Sequence, residues 1–243
     1  MRLKKMLAVE QIYYIYEQSK KNEKLVIFIH GYNGNYISTW GNLQIMLLKR
    51  QLGKTIPFDD WDYIFLGYNT SSIESYIDIA CILNDKYEEA INGNSIFERK
   101  YNKIVLCGHS LGTLGIRQLL CAECLHKVKI ANTLKSILLF GSPIEGSILA
   151  KFSFKKIAKA LNIMNPQLLM LKQWCESIYN YTPWPKIKIY FGLRDWVVKH
   201  NSTFMINWKG DEKAVYPNLD HRKLVKPSAG NNFIIDKLSD ELK

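Results

Sequence analysis

Short runs of apolar residues recur along the chain, separated by stretches in which apolar residues return at helical spacing. Four runs stand out: Leu25–His30 (LVIFIH), Tyr63–Tyr68 (YIFLGY), Lys103–Cys107 (KIVLC) and Ser136–Phe140 (SILLF). A fifth, Ile187–Phe191 (IKIYF), follows later. Each is too short for a helix and apolar on both faces, as strands buried on both sides of a parallel sheet must be. Between them, Trp40–Gln51 carries Leu43, Met46, Leu47 and Leu48, and Ile73–Ile91 carries Ile77, Ala80, Cys81, Leu83 and Tyr87. Leu111–Leu125 carries Leu114, Leu119 and Leu120. Strands alternating with helices predict βαβ units with right-handed crossovers, and a single α/β domain over residues 1–243.

The alternation breaks after Phe140. Residues 147–185 show helical spacing (Ile157, Ala158, Leu161, then Leu168, Leu169, Leu171, Trp174 and Ile178) and close on Thr182-Pro183-Trp184-Pro185. This segment reads as an insertion between two strands, either two packing helices or a lid over a pocket. Residues 1–24 are set apart as an N-terminal extension.

Composition narrows the classes. Of 243 residues, 47% are hydrophobic and 12% aromatic, enough for a substantial core, which excludes disordered and fibrous classes. No apolar run reaches the roughly 18 residues a membrane-spanning helix needs. The N-terminal segment lacks the apolar stretch and small-residue cleavage site of a signal peptide. The five cysteines (Cys81, Cys107, Cys121, Cys124 and Cys175) are scattered and read as reduced thiols, which points to a cytoplasmic protein. A net charge of +11 is spread over dispersed lysines without zinc-finger spacing or an RNA-binding aromatic motif. Nucleic acid is therefore not the expected partner; peripheral contact with an anionic membrane is.

The most informative stretch is KIVLCGHSLGTLG, residues 103–115. Gly108-His109-Ser110-Leu111-Gly112 is a G-x-S-x-G pattern that follows a buried strand and opens a helix. The turn is sharp enough to hold the serine in a strained conformation, and larger flanking side chains would collide with neighbouring backbone. Ser110 then stands at a helix N-terminus, where free N–H groups favour developing negative charge. The alternative is that Ser110 only caps the helix.

Acyl transfer through a serine needs two preorganised donors for its oxyanion. One is assigned to the N–H of Leu111. The other comes from His30-Gly31-Tyr32-Asn33-Gly34, which ends an earlier strand, and is assigned to the N–H of Tyr32 with Gly31 as the alternative. His30 is expected to support this loop rather than act as a base.

A serine nucleophile needs a base, and the base an orienting carboxylate, in the order serine, acid, histidine. Asp195 sits just past the Ile187–Phe191 strand, where catalytic groups of parallel sheets gather. Of the histidines after Ser110, His126 ends a helix and His200 lies close behind Asp195. His221, in LDHRK after the β-like run Lys213–Tyr216, is left as the base. Asp220 competes with Asp195 as the orienting acid.

The set VIFIHGYNGN, IVLCGHSLGTLGIRQLL, FGSPIEGS, YFGLRDWVV and LDHRKLVKPS resembles an α/β-hydrolase-fold serine esterase or lipase. It is most similar to the lipase-like branch that includes the DUF676 proteins, in which a tryptophan follows the HG loop (here Trp40). There the serine motif runs into an arginine-bearing helix (here Arg117), and a small-Pro-x-x-Gly-Ser loop lies beside the active site (here Gly141–Ser147). Where many relatives have Gly-Gly after the elbow leucine, this chain has Gly112-Thr113, which is tolerable because only the first must approach the strand. The resemblance implies a mostly parallel central sheet flanked by helices, with a helical lid-like insertion after the sixth strand.

The expected function is a serine hydrolase of carboxylic esters with Ser110, Asp195 and His221 as its triad and no metal or cofactor. Phe152, Phe154, Leu168, Met170 and Trp174 of the insertion are expected to line an acyl pocket for a small-molecule or lipid ester. An acyltransferase with the same triad and a non-catalytic interaction module remain as rivals. Oligomeric state, acyl length and alcohol stay open.

Overall fold

The computed structural model describes residues 12–15, 22–55, 57–93, 99–125, 130–147, 150, 156–163, 165–178, 185–198 and 217–243. Its centre is a six-stranded sheet of β1 (Ile12–Ile15), β2 (Lys24–Ile29), β3 (Asp62–Leu66), β4 (Lys103–His109), β5 (Leu134–Phe140) and β6 (Lys186–Tyr190). The strand order is β1-β3-β2-β4-β5-β6. β1 pairs antiparallel with β3, and every other pairing is parallel. The helices are α1 (Leu43–Leu52), α2 (Tyr76–Asn92), α3 (Leu111–Leu125), α4 (Ile130–Thr133), α5 (Lys156–Ala160), α6 (Pro166–Ile178) and α7 (Phe233–Leu242).

Strand residues alternate between two cores, because successive side chains leave opposite faces of a sheet. Leu25, Ile27 and Ile29 pack with Ile79, Leu83, Leu114 and Leu171, contributed by α2, α3 and α6. Val26, Phe28 and Phe65 pack with Leu43 and Leu47 of α1 and Leu238 and Leu242 of α7. Both faces of the sheet are thus covered by helices, which is why its strands are apolar throughout. Trp40 belongs to the second core, edge-on to Phe28 at 5.1 Å between ring centres.

Besides the short helix α4, two elements lie outside the expectation. Residues 12–15, assigned to a terminal extension, form the antiparallel edge strand, tied inward by a Tyr14–Tyr101 hydroxyl pair. Tyr101 in turn donates to the buried Asp62 carboxylate at 2.7 Å. The C-terminal helix α7 is the second. The insertion supplies α5 and α6, and the strand it follows, β5, is the fifth of the described sheet rather than the sixth. Among the described residues no helix is long and apolar enough to cross a membrane.

Candidate active site

β4 runs straight into α3 through Ser110, whose backbone adopts φ 51°, the left-handed region that ordinary side chains avoid. The main chain holds it there. Its N–H donates to the Phe140 carbonyl at the end of β5 (2.8 Å), and its carbonyl accepts from the Thr113 N–H (2.9 Å). Thr113 Oγ1 lies 2.6 Å from the same carbonyl and 2.8 Å from Ser142 Oγ, and Arg117, itself buried, reaches that hydroxyl at 3.4 Å. A Cβ on Gly112 would stand 2.6 Å from the carbonyl oxygens of Ile29 and His30, so β2 fits against α3 only because residue 112 is glycine. Thr113, which stands where many relatives have a further glycine, is fully buried.

The loop after β2 lies against the serine: a Cβ on Gly31 would come within 2.6 Å of Ser110 Cβ. His30 anchors that loop. Its Nε2 accepts from the Tyr68 N–H at 3.2 Å, which leaves Nδ1 to donate to the Gly31 carbonyl at 2.8 Å. Its ring stacks on Tyr68 at 4.0 Å, and burial pushes its pKa down to about 4. His30 is therefore a neutral scaffold group. Tyr32 lines the cavity beside it, and Leu111, as the first residue of α3, has an N–H with no acceptor inside the helix.

Asp195 and His221 are in direct contact. His221 Nδ1 lies 2.6 Å from Asp195 Oδ2, both residues being buried. The other carboxylate oxygen, Oδ1, accepts from the N–H groups of Val197 and Val198 at 2.9 Å each, which fixes the plane of the carboxylate. The two loops are stitched together by Leu193 N–H to Pro217 O (2.8 Å) and Arg194 N–H to Leu219 O (3.1 Å). Asp220 instead receives the N–H groups of Arg222 and Lys223 at 3.0 and 2.9 Å and turns away from the imidazole. His126, His200 and the run 213–216 lie outside the described residues.

His109, the variable residue of the serine motif, was not singled out from sequence. Its Nε2 donates to the main-chain carbonyl of His221 at 2.9 Å, and the two rings are 4.7 Å apart. Burial, reinforced by the neighbouring His221, holds its pKa well below that of a free imidazole. The signal available was its position beside the serine.

Ser110, His109 and His221 open into one cavity of about 380 Å³. The β2 loop contributes Gly31, Tyr32, Asn33 and Gly34; the insertion contributes Ala150, Ala158 and Leu161; the loop that follows His221 contributes Arg222 and Lys226. No hydrogen bond joins Ser110 Oγ to His221 among the described residues; such contacts commonly tighten when substrate binds. The acyl-pocket expectation needs correction. Leu168 is buried in the core, while Met170 and Trp174 are exposed, and none of the three lines the cavity. The reason is how α6 packs: Leu168, Leu171 and Cys175 face α3, with Cys175 Sγ 3.4 Å from Cys121 Sγ, so the opposite stripe faces solvent. Phe152 and Phe154 lie outside the described residues.

The family model described as "Putative serine esterase (DUF676)" matches residues 19–151, more than half of the chain. The chain belongs to the DUF676 family. The segment matched in this DUF676 protein runs from before β2 past β5 and so contains the loop at Tyr32 and the serine motif. No curated protein matches the sequence. Among solved structures, the mature lipase BlEst2 of Bacillus licheniformis is similar with a TM-score of 0.67 at 14% identity, covering 96% of this chain and 98% of its own. Est1E of Butyrivibrio proteoclasticus is similar at 0.58 and 12% identity, covering 97% and 95%. The Pyrococcus furiosus esterase Pf2001 is similar at 0.55 and 16%, covering 91% and 85%. At such identities these likenesses establish the α/β-hydrolase fold.

Proposed function

We propose that this DUF676 protein hydrolyses carboxylic esters through an acyl-enzyme, with Ser110 as nucleophile, His221 as base and Asp195 as its orienting carboxylate. The observation that carries the reading is the 2.6 Å contact of His221 Nδ1 with Asp195 Oδ2 at the wall of the cavity that Ser110 enters. In this scheme Ser110 Oγ bonds to the ester carbonyl carbon as its proton passes to His221 Nε2. The N–H groups of Leu111 and Tyr32 receive the oxyanion. The C–O bond to the alcohol breaks, and His221 returns its proton to the leaving alkoxide. Water then attacks the acyl-serine, again giving a proton to His221, and the carboxylic acid leaves as Ser110 regains its hydrogen.

Asp195 holds the imidazole with Nε2 toward the serine and stabilises the imidazolium that forms. The small apolar side chains Ala150, Ala158 and Leu161 form the acyl wall of the described cavity. The test is labelling by a fluorophosphonate probe together with turnover of p-nitrophenyl esters from acetate to palmitate. Wild type labels and turns over, Ser110→Ala does neither, and Asp195→Asn loses roughly 10³-fold or more in kcat. A folded wild type that neither labels nor hydrolyses any of the series would defeat the reading.

A further inference from the structure

We infer that the ester this site takes carries an anionic group, a phosphate or carboxylate, on its alcohol portion, held by Arg222 and Lys226. This rests on the reading of Ser110 and His221 as nucleophile and base.

The argument starts from where the leaving group must go. The imidazole that protonates the alkoxide has to lie beside it, so the alcohol portion of the ester occupies the His221 side of the cavity. On that side the wall is Arg222, next in sequence to His221, and Lys226, one loop turn further on. No Asp or Glu is among the described residues that line the cavity. The described acidic side chains of these loops are already engaged, Asp195 with His221 at 2.6 Å and Asp220 with Lys223 at 3.6 Å. Arg222, exposed at the rim, and the half-buried Lys226 thus line the cavity without a described carboxylate to neutralise them.

Lys226 is also held in place. Its Cβ and Cγ lie 3.6 Å from where a Cβ on Gly41 would stand, so its stem runs over that glycine and the residue is half-buried. Its charge reaches the site interior, where it is among the groups that disfavour protonation of His109. Two cations beside a partly enclosed cavity, one with the planar fork of a guanidinium, suit a phosphate or carboxylate far better than a neutral hydroxyl. Ala150, Ala158 and Leu161 supply an apolar part of the described lining, which takes the acyl chain. The cavity is thus polarised along the scissile bond.

The experiment compares two esters that differ only in this charge: a monodecanoyl glycerol phosphate and monodecanoyl glycerol, each below its micelle concentration. Wild type, Arg222→Gln, Lys226→Gln and the double variant are assayed for kcat/KM on both. The expected result is a roughly ten- to hundredfold preference of wild type for the phosphate ester, which collapses toward unity in the double variant. The preference also shrinks as sodium chloride is raised, since a partly exposed charge pair is screened. A wild-type ratio near one, or a ratio that survives the double substitution, overturns the inference while leaving hydrolysis intact. Absence of turnover on both esters, on p-nitrophenyl esters and of fluorophosphonate labelling overturns the underlying reading instead.

Discussion

The ring of His109 donates to the main-chain carbonyl of His221 at 2.9 Å, so one histidine fixes the backbone that carries the other. The bond is buried, and a carbonyl deprived of it in that setting costs about 1–3 kcal/mol. His109→Leu is therefore expected to lower kcat at least tenfold with little change in KM. His109→Gln, whose amide nitrogen can reach the same oxygen, recovers most of the loss. Steady-state kinetics on a p-nitrophenyl ester separates the two variants; equal rates for both would show that the hydrogen bond has no part in placing His221.

Gly141 faces the same imidazole from the other side. Its φ is 60°, and a Cβ there would stand 2.8 Å from Cε1 and 2.9 Å from Nδ1 of His221. Gly141→Ala must therefore push the imidazole off Asp195. Activity is expected to fall to the level of Asp195→Asn, and His221 should lose protection from diethylpyrocarbonate. An alanine variant with normal kcat would mean that the ring has another productive seat.

Ser110 stores backbone strain that glycine would relieve. A non-glycine residue in the left-handed region is disfavoured by roughly 1–2 kcal/mol, partly offset by glycine's greater freedom in the unfolded chain. Ser110→Gly should thus be more stable than Ser110→Ala by about 1 kcal/mol, with both inactive. Urea unfolding midpoints decide the order, and an alanine variant as stable as the glycine one would remove strain from the account.

Acid stability follows from the buried imidazoles of His30 and His109. The unfolded chain protonates His30 near 6.5, whereas the folded protein does so only near 4. The folded state binds fewer protons between these values, so its stability falls as pH drops from 6.5 to 4, by up to about 3 kcal/mol, and levels off below. His109, lowered for the same reason, acts in the same direction. Urea denaturation at pH 7.5, 5.5 and 4.5 should show this decline, and His30→Gln should flatten it. A variant with an unchanged slope would place the titration elsewhere.

The parallel strands were legible in the sequence because burial on both faces leaves an unbroken apolar signature. β1 was not: three of its four residues are only half-buried, so Ile12–Ile15 blends into a mixed polar segment. The helix α7 carries a readable signal in Ile234, Ile235, Leu238 and Leu242, a stripe at helical spacing. Ser110, Asp195 and His221 could be chosen because motif and chain order restrict them. The insertion's share of the cavity lining could not be read, since apolar spacing there does not say which stripe of α6 meets α3. His109, Arg222 and Lys226 were hidden for a different reason: their roles arise from where the loops fold back, which no local pattern records.

The hydrogen bonds at the strand ends carry one more implication. Ser110 N–H to Phe140 O and Gly141 N–H to Tyr190 O continue the ladder of β4, β5 and β6 beyond the last paired residues. Ser110 is thus mechanically part of the margin of the sheet, while Asp195 and His221 stand on loops tied to each other just beyond it. Thermal inactivation and cooperative melting should consequently coincide in temperature and rate, with no earlier softening of the catalytic end.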